Sequence, residues 1–138
     1  MRVEDAQTLL HDNFAPWVLA LKPRISALDQ SGATLEIPIT PDIARVGNIV
    51  CGQALATLAD TSMVFACIGH LDAFQPVATT NLETRFLTAA RGDLVRCEAR
   101  VIRAGRALMF AEARLFSDPS GKEVAAASAT FFVPPSSN

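Results

Sequence analysis

Residues 46–71 read VGNIVCGQALATLADTSMVFACIGHL, and Asp60 is their single formal charge. From Gly52 onward, Leu55, Leu58, Ala59, Met63, Ala66 and Cys67 recur at helical spacing. The pattern predicts a long helix, ending near Gly69, that is apolar nearly all round and mostly buried. An ionised carboxylate is expensive to take out of water unless it is paired. With 14 acidic residues the chain could have kept them all at its surface. One acid inside its most apolar helix therefore points to chemistry. The competing reading is a carboxylate that faces solvent or satisfies a backbone amide in a packed structure.

The segments on either side read as follows. Val3, Ala6, Leu9 and Leu10 share a face, so residues 3–10 form a short helix that stops at 13–16. Residues 17–21 are apolar and lead into a hairpin with arms 23–28 and 33–40 around the turn Asp29-Gln30-Ser31-Gly32. Residues 41–48 connect to the long helix. Four strands follow as a meander: 76–87, 94–103, 107–116 and 122–133, with a frayed tail at 134–138. In the second of these, Val95, Cys97, Ala99 and Val101 alternate with Arg96, Glu98 and Arg100, which marks a half-exposed antiparallel strand. The order is that of an α+β hotdog fold: a long central helix wrapped by a curved antiparallel sheet of five or six strands. An NTF2-like cone would open with more helix.

A chain of 138 residues is one domain of ordinary size and can bury a core without metals or disulfides. Half of it is apolar and 19% charged, rich enough that part of the apolar surface is expected in a subunit interface. The net charge of −2 and the lack of any basic block argue against a nucleic-acid partner. Cys51, Cys67 and Cys97 cannot all pair within one chain and fit no zinc spacing, so a reducing cytoplasm and no metal are expected. The N-terminus lacks a signal-peptide core. No stretch looks apolar enough to span a membrane, because Gln53, Thr57, Asp60, Thr61 and Ser62 interrupt the long helix.

Residues 51–66, CGQALATLADTSMVFA, resemble the helix signature of PaaI-like hotdog thioesterases, in the 4-hydroxybenzoyl-CoA thioesterase superfamily. That signature runs roughly HGGxxxxLxDxxxxxA, and Gly52, Leu58 and Asp60 match it in register. Further on, Thr79-Thr80, Phe86, Gly92-Asp93, Gly105-Arg106 and the closing Phe131-Phe132-Val133 are similar to the family's remaining strands. The likeness covers about residues 45–133. It implies an acyl-CoA thioesterase with no cofactor, since coenzyme A is part of the substrate. It also implies a homodimer, often paired into a tetramer.

In such an enzyme Asp60 would be general base or nucleophile. The Gly52 amide, at a helix N-terminus, would donate to the oxyanion. Gly52 and Asp60 are eight residues apart, roughly 12 Å along one helix. That distance is too long for one thioester carbon, so Gly52 would serve the site from the partner subunit. The resemblance also implies that Thr79 holds the catalytic water. Asn48, Cys51 and Gln53 are candidates for substrate contact. Arg106, with Arg91 and Arg103, is a candidate for the phosphates of coenzyme A. Met63, Phe65, Phe74 and Phe86 are expected to line an acyl pocket suited to small aromatic or medium-length acyl groups.

Two departures stand out. Cys51-Gly52-Gln53 replaces the family's His-Gly-Gly, and the asparagine that often precedes it falls on Arg45. A helix N-terminus lowers a thiol pKa, so Cys51 is an alternative nucleophile, although no histidine lies near it in sequence. A non-catalytic acyl-thioester binding or sensing dimer is the alternative function. A hydratase is weaker, because neither His11 nor His70 falls where its histidine would be needed.

Overall fold

Alternating side chains build most of the architecture in the computed structural model, which describes residues 1–135. In β2 (Gly32–Pro38), Ala33, Leu35 and Ile37 are buried while the residues between them are half-buried. β6 (Leu94–Ala104), β7 (Leu108–Asp118) and β8 (Lys122–Phe132) repeat the pattern. With β1 (Arg24–Asp29) and β5 (Ala78–Phe86) they form one antiparallel sheet of six strands, in the order β1-β2-β6-β7-β8-β5. Leu35 pairs with Cys97, Cys97 with Leu115, Leu115 with Ala125 and Ala125 with Phe86, so one row of inward side chains crosses most of the sheet.

The strand order corrects the expected four-strand meander. Of those four strands only β6, β7 and β8 follow one another as neighbours; β5 pairs with β8 at the far edge, and β2 takes the place beside β6. The residue types explain this. The inward positions of β2 are apolar and match those of β6, whereas β5 reads ATTNLETRF and is exposed along nearly its whole length, which suits an edge. Residues 87–93 carry the chain back across the strand ends: the Leu87 and Thr88 amides donate to Val124 O, and the Asp93 amide donates to Asp118 O.

The long helix, α3 (Gly52–Leu71), packs against the middle of this sheet, chiefly β2, β6 and β7. Leu58, Met63, Phe65 and Ile68 are among its fully buried side chains, each stabilising the fold by about 2 kcal/mol through apolar burial. It runs two residues beyond the expected Gly69. Asp72 ends it in a left-handed conformation (φ 53°) that aspartate tolerates, with its N–H bonded to Gly69 O. By length and composition α3 does reach the range of a membrane span, contrary to the sequence reading. Yet most of it is buried inside the protein, so the sheet supplies its apolar environment.

The N-terminal helix α1 (Val3–Asn13) also outlasts its expected end at Leu10, and Pro16 opens a single helical turn, α2 (Pro16–Leu19), within the apolar stretch. The expected connector at 41–48 contains a small ribbon, β3 (Ala44–Arg45) with β4 (Ile49–Val50). Gly47 and Asn48 both take positive φ in its turn. The supposed tail is tied at its start, where Gln75 Nε2 donates to Pro134 O at 2.9 Å; residues 136–138 of that tail lie outside the described residues.

Candidate active site

One face of α3 is left uncovered by the sheet. Gln53 is exposed, and Ala56, Thr57, Asp60 and Val64 are half-exposed at spacings of three and four. Asp60 therefore projects from the buried helix through its one open stripe. The Thr79 hydroxyl donates to Asp60 Oδ1 at 2.8 Å. Thr79 pairs with Phe131, and the register then slips before Asn81 pairs with Thr130. This bulge at the start of β5 changes the side-chain alternation beside the acid, a common device next to functional residues.

Burial raises the Asp60 pKa above the ordinary carboxylate value, and the Thr79 hydrogen bond offsets part of the rise. The result is a carboxylate more basic than one in water, with Thr79 as its one side-chain partner among the described residues. Chemically, the pair can bind and deprotonate a water molecule.

Asp60 and Thr79 open into a cavity of about 440 Å³ lined by Phe14, Trp17, Val64, Phe74 and Val77, among others. Of the residues expected in an acyl pocket, Phe74 is here. Met63 and Phe65 are fully buried in the core instead. The face that carries Asp60 continues one and two turns later through Val64 and Ile68, which do line the cavity, and leaves Met63 and Phe65 turned inward. Counting i+4 and i+8 from Asp60 would have named both. Sequence reading misses Phe14 and Trp17; Phe14 lies inside the helix stop at 13–16, and the one signal for Trp17 is the apolar stretch directly after it.

Gly52 lies in a different cavity, of about 340 Å³, lined also by Arg45, Ile49, Leu55, Phe86 and Thr88. It is the first residue of α3, where backbone N–H groups have no partner within the helix. A Cβ at Gly52 would come within 3.1 Å of the Phe86 ring, so the glycine admits the aromatic against the helix N-terminus. Phe86 therefore belongs to the Gly52 cavity and not to that of Asp60. Arg45, at the position where the resemblance implies asparagine, lines the same cavity.

The remaining candidates are scattered. Asn48 is exposed and serves as a left-handed turn residue, its N–H donating to Arg45 O. Cys51 is the N-cap of α3 and half-buried, with no side-chain capping bond. Gln53 shares the open stripe with Asp60, seven residues away. Arg91 donates to Gly47 O at 3.4 Å. Arg106 is exposed in the β6–β7 turn. That turn is at the same sheet end as Thr79, linked by the register Thr79, Phe131, Met109, Ala104, which spans roughly 14 Å at ordinary strand spacing.

Burial pushes the thiols of Cys67 and Cys97 up to about 12, far from nucleophilic range. Neither histidine is placed to activate Cys51. His70 is exposed at the opposite end of α3, and His11 is exposed on α1 with Nδ1 at 2.9 Å from Gln7 O. Among the described residues no cluster of His, Cys, Asp and Glu is arranged to hold a metal.

Comparison with known proteins bears on this arrangement. The family model described as the thioesterase superfamily matches residues 47–124. The chain is similar to a candidate thioesterase from Silicibacter sp. TM1040, at 26% identity, covering 98% of this chain and 93% of that one with a TM-score of 0.87. It is similar in fold to a Bacillus halodurans protein solved with CoA, at 23% identity, 98% and 90% coverage and a TM-score of 0.79. It is also similar in fold to the PaaI protein of the E. coli phenylacetic acid degradation operon, at 18% identity, 97% and 94% coverage and a TM-score of 0.84. No curated protein matches the chain in sequence.

Proposed function

Since the chain belongs to the thioesterase superfamily and is a thioester hydrolase, we propose that it cleaves a small aromatic or medium-chain acyl-CoA at a site shared by two subunits. The products are the free acid and coenzyme A. The observation that carries this reading is the Thr79–Asp60 hydrogen bond, set in the wall of a largely apolar cavity.

In this mechanism the acyl group lies along Val64 and Ile68 with its carbonyl carbon beside Asp60. Thr79 keeps its hydrogen bond to Asp60 Oδ1, and the other carboxylate oxygen accepts a hydrogen bond from the attacking water. Asp60 takes its proton as the oxygen attacks the carbonyl carbon, and the raised pKa makes the carboxylate a better base for that step. Negative charge develops on the carbonyl oxygen and is stabilised by the Gly52 N–H, aided by the helix N-terminus. Collapse of the tetrahedral intermediate expels the coenzyme A thiolate, which takes up a proton.

Gly52 comes from the partner. It and Asp60 line separate cavities on one chain, and about 12 Å of helix divides them. Two α3 helices packed antiparallel through their open stripes would join the Gly52 cavity of one chain to the Asp60 cavity of the other. The exposed edge strand β5 supports such pairing, since one side of its ladder has no neighbour. Exposed Leu108, Phe110 and Phe132 supply apolar surface for a dimer of dimers. Arg106 meets the phosphates of coenzyme A, and Gln53 and Cys51 border the thioester. The three free thiols suit a reducing cytoplasm.

The test is thiol release from a panel of aromatic and aliphatic acyl-CoA substrates, wild type against Asp60→Asn. A loss of about 10²-fold or more is expected for a missing general base. Full activity in the variant would remove Asp60 from the mechanism. Binding without turnover by wild type would make the protein a sensor.

A further inference from the structure

The walls of the Asp60 cavity come from two parts of the chain. Asp60, Val64, Ile68 and Thr79 fall inside the region matched by the family model, residues 47–124. Phe14, Trp17 and Val18 come from the N-terminal segment, well outside it. The acid and its partner thus lie within the matched region, while one wall of the cavity comes from a segment outside it.

Trp17 is the conspicuous member of that wall. It is the single tryptophan of the chain and is 63% exposed. Tryptophan is highly buried on average and contributes more contact area than any other side chain, so an indole left open over a cavity is poised to be covered by something. Nor is it on a loose segment. Phe14 stacks on the buried Phe65 with ring centroids 5.5 Å apart, and the Val18 and Leu19 amides both donate to Ala15 O. Across the sequence, Phe74 and Gln75 contribute to the same cavity, and Gln75 is tethered to Pro134 O. The segment that carries the indole therefore has a defined position.

We propose that Trp17 is the specificity-determining residue of this enzyme. Its indole covers the acyl group and limits the length of chain the cavity accepts, so selectivity is set by the N-terminal segment while the α3–β5 pair carries the chemistry. The proposal rests on the thioesterase reading for its substrate, but its binding readout does not need turnover.

Two measurements test it. The first is kcat/KM over a series of acyl-CoA substrates of increasing acyl length, for wild type, Trp17→Ala and Trp17→Phe. Removing the indole is expected to move the long-to-short preference toward longer groups by about tenfold or more, the scale on which apolar pockets discriminate. Trp17→Phe should stay near wild type. The second uses the sole tryptophan as a probe. In the Asp60→Asn protein, acyl-CoA should shift and blue-shade the Trp17 emission with saturation, whereas coenzyme A alone should not.

An unchanged preference in Trp17→Ala, in a protein whose circular dichroism matches wild type, overturns the proposal while leaving the thioesterase reading intact. An equal response to coenzyme A alone also overturns it, placing the indole on the nucleotide part. Saturable emission change with acyl-CoA but no hydrolysis by wild type would support the pocket assignment and sink the thioesterase reading.

Discussion

A mixed dimer separates a shared site from a site within one chain. One chain carries Asp60→Asn. The other carries Gly52→Val, which drives side-chain carbons into the Phe86 ring, already 3.1 Å from an added Cβ, and fills the space beside the helix N-terminus. Each variant alone has a defect in both sites of its homodimer, and each should lose about 10²-fold or more in kcat. In a mixed dimer with shared sites, one site collects both defects. The other receives Asp60 from the Gly52→Val chain and Gly52 from the Asp60→Asn chain, and is intact. Doubly tagged heterodimers, purified in tandem, should therefore recover about half of the wild-type rate per dimer in a thiol-release assay. If both residues served a site within one chain, every site would still carry one defect. A heterodimer as inactive as its two parents, with normal circular dichroism and dimer mass, would refute the shared site and with it the role given to the Gly52 amide.

Three further outcomes follow from particular contacts. The acid limb of the pH–rate profile should reflect the raised Asp60 pKa, with kcat/KM rising as the carboxylate ionises. Thr79→Val removes the hydrogen bond that opposes the rise, so the limb should move to higher pH, while Thr79→Ser should leave it in place; a limb that does not move would detach Thr79 from Asp60. Asp60 also has a stability signature. Its folded pKa lies above the unfolded value of 3.8, so its protonated form favours folding, and stability is lost as pH rises from the unfolded value through the folded one. Asp60→Asn should thus melt higher than wild type at neutral pH, with the gap closing in acid; an equal or lower Tm at neutral pH would contradict the burial cost. Finally, a Cβ at Gly69 would sit 2.5 Å from Asp29 O and 2.9 Å from Leu28 Cδ1. Gly69→Ala should cost about 1–3 kcal/mol in urea unfolding, as overpacking does, and a variant as stable as wild type would mean that α3 and β1 separate easily.

Much of the fold is local in origin. The 3.6-residue period of α3, the two-residue alternation of β2, β6 and β7 and the turn residues at 29–32 each act over a few neighbours, so they are legible from the chain alone. The placement of β5 is not. Its pairing with β8 rests on contacts between residues some fifty positions apart, such as Thr79 with Phe131, and nothing in the 79–86 segment names its partner. The same division runs through the site. An acid in an apolar helix is visible because the surrounding residue types make its burial costly. The hydrogen bond that holds it, and the separation of Gly52 and Asp60 into two cavities, arise where α3, β5 and the N-terminal segment meet. Trp17 illustrates the limit. As a letter it is one apolar residue after a proline. It becomes a wall of the Asp60 cavity only when packing brings residues 13–18 over the open face of α3, because burial and proximity are properties of the whole folded chain.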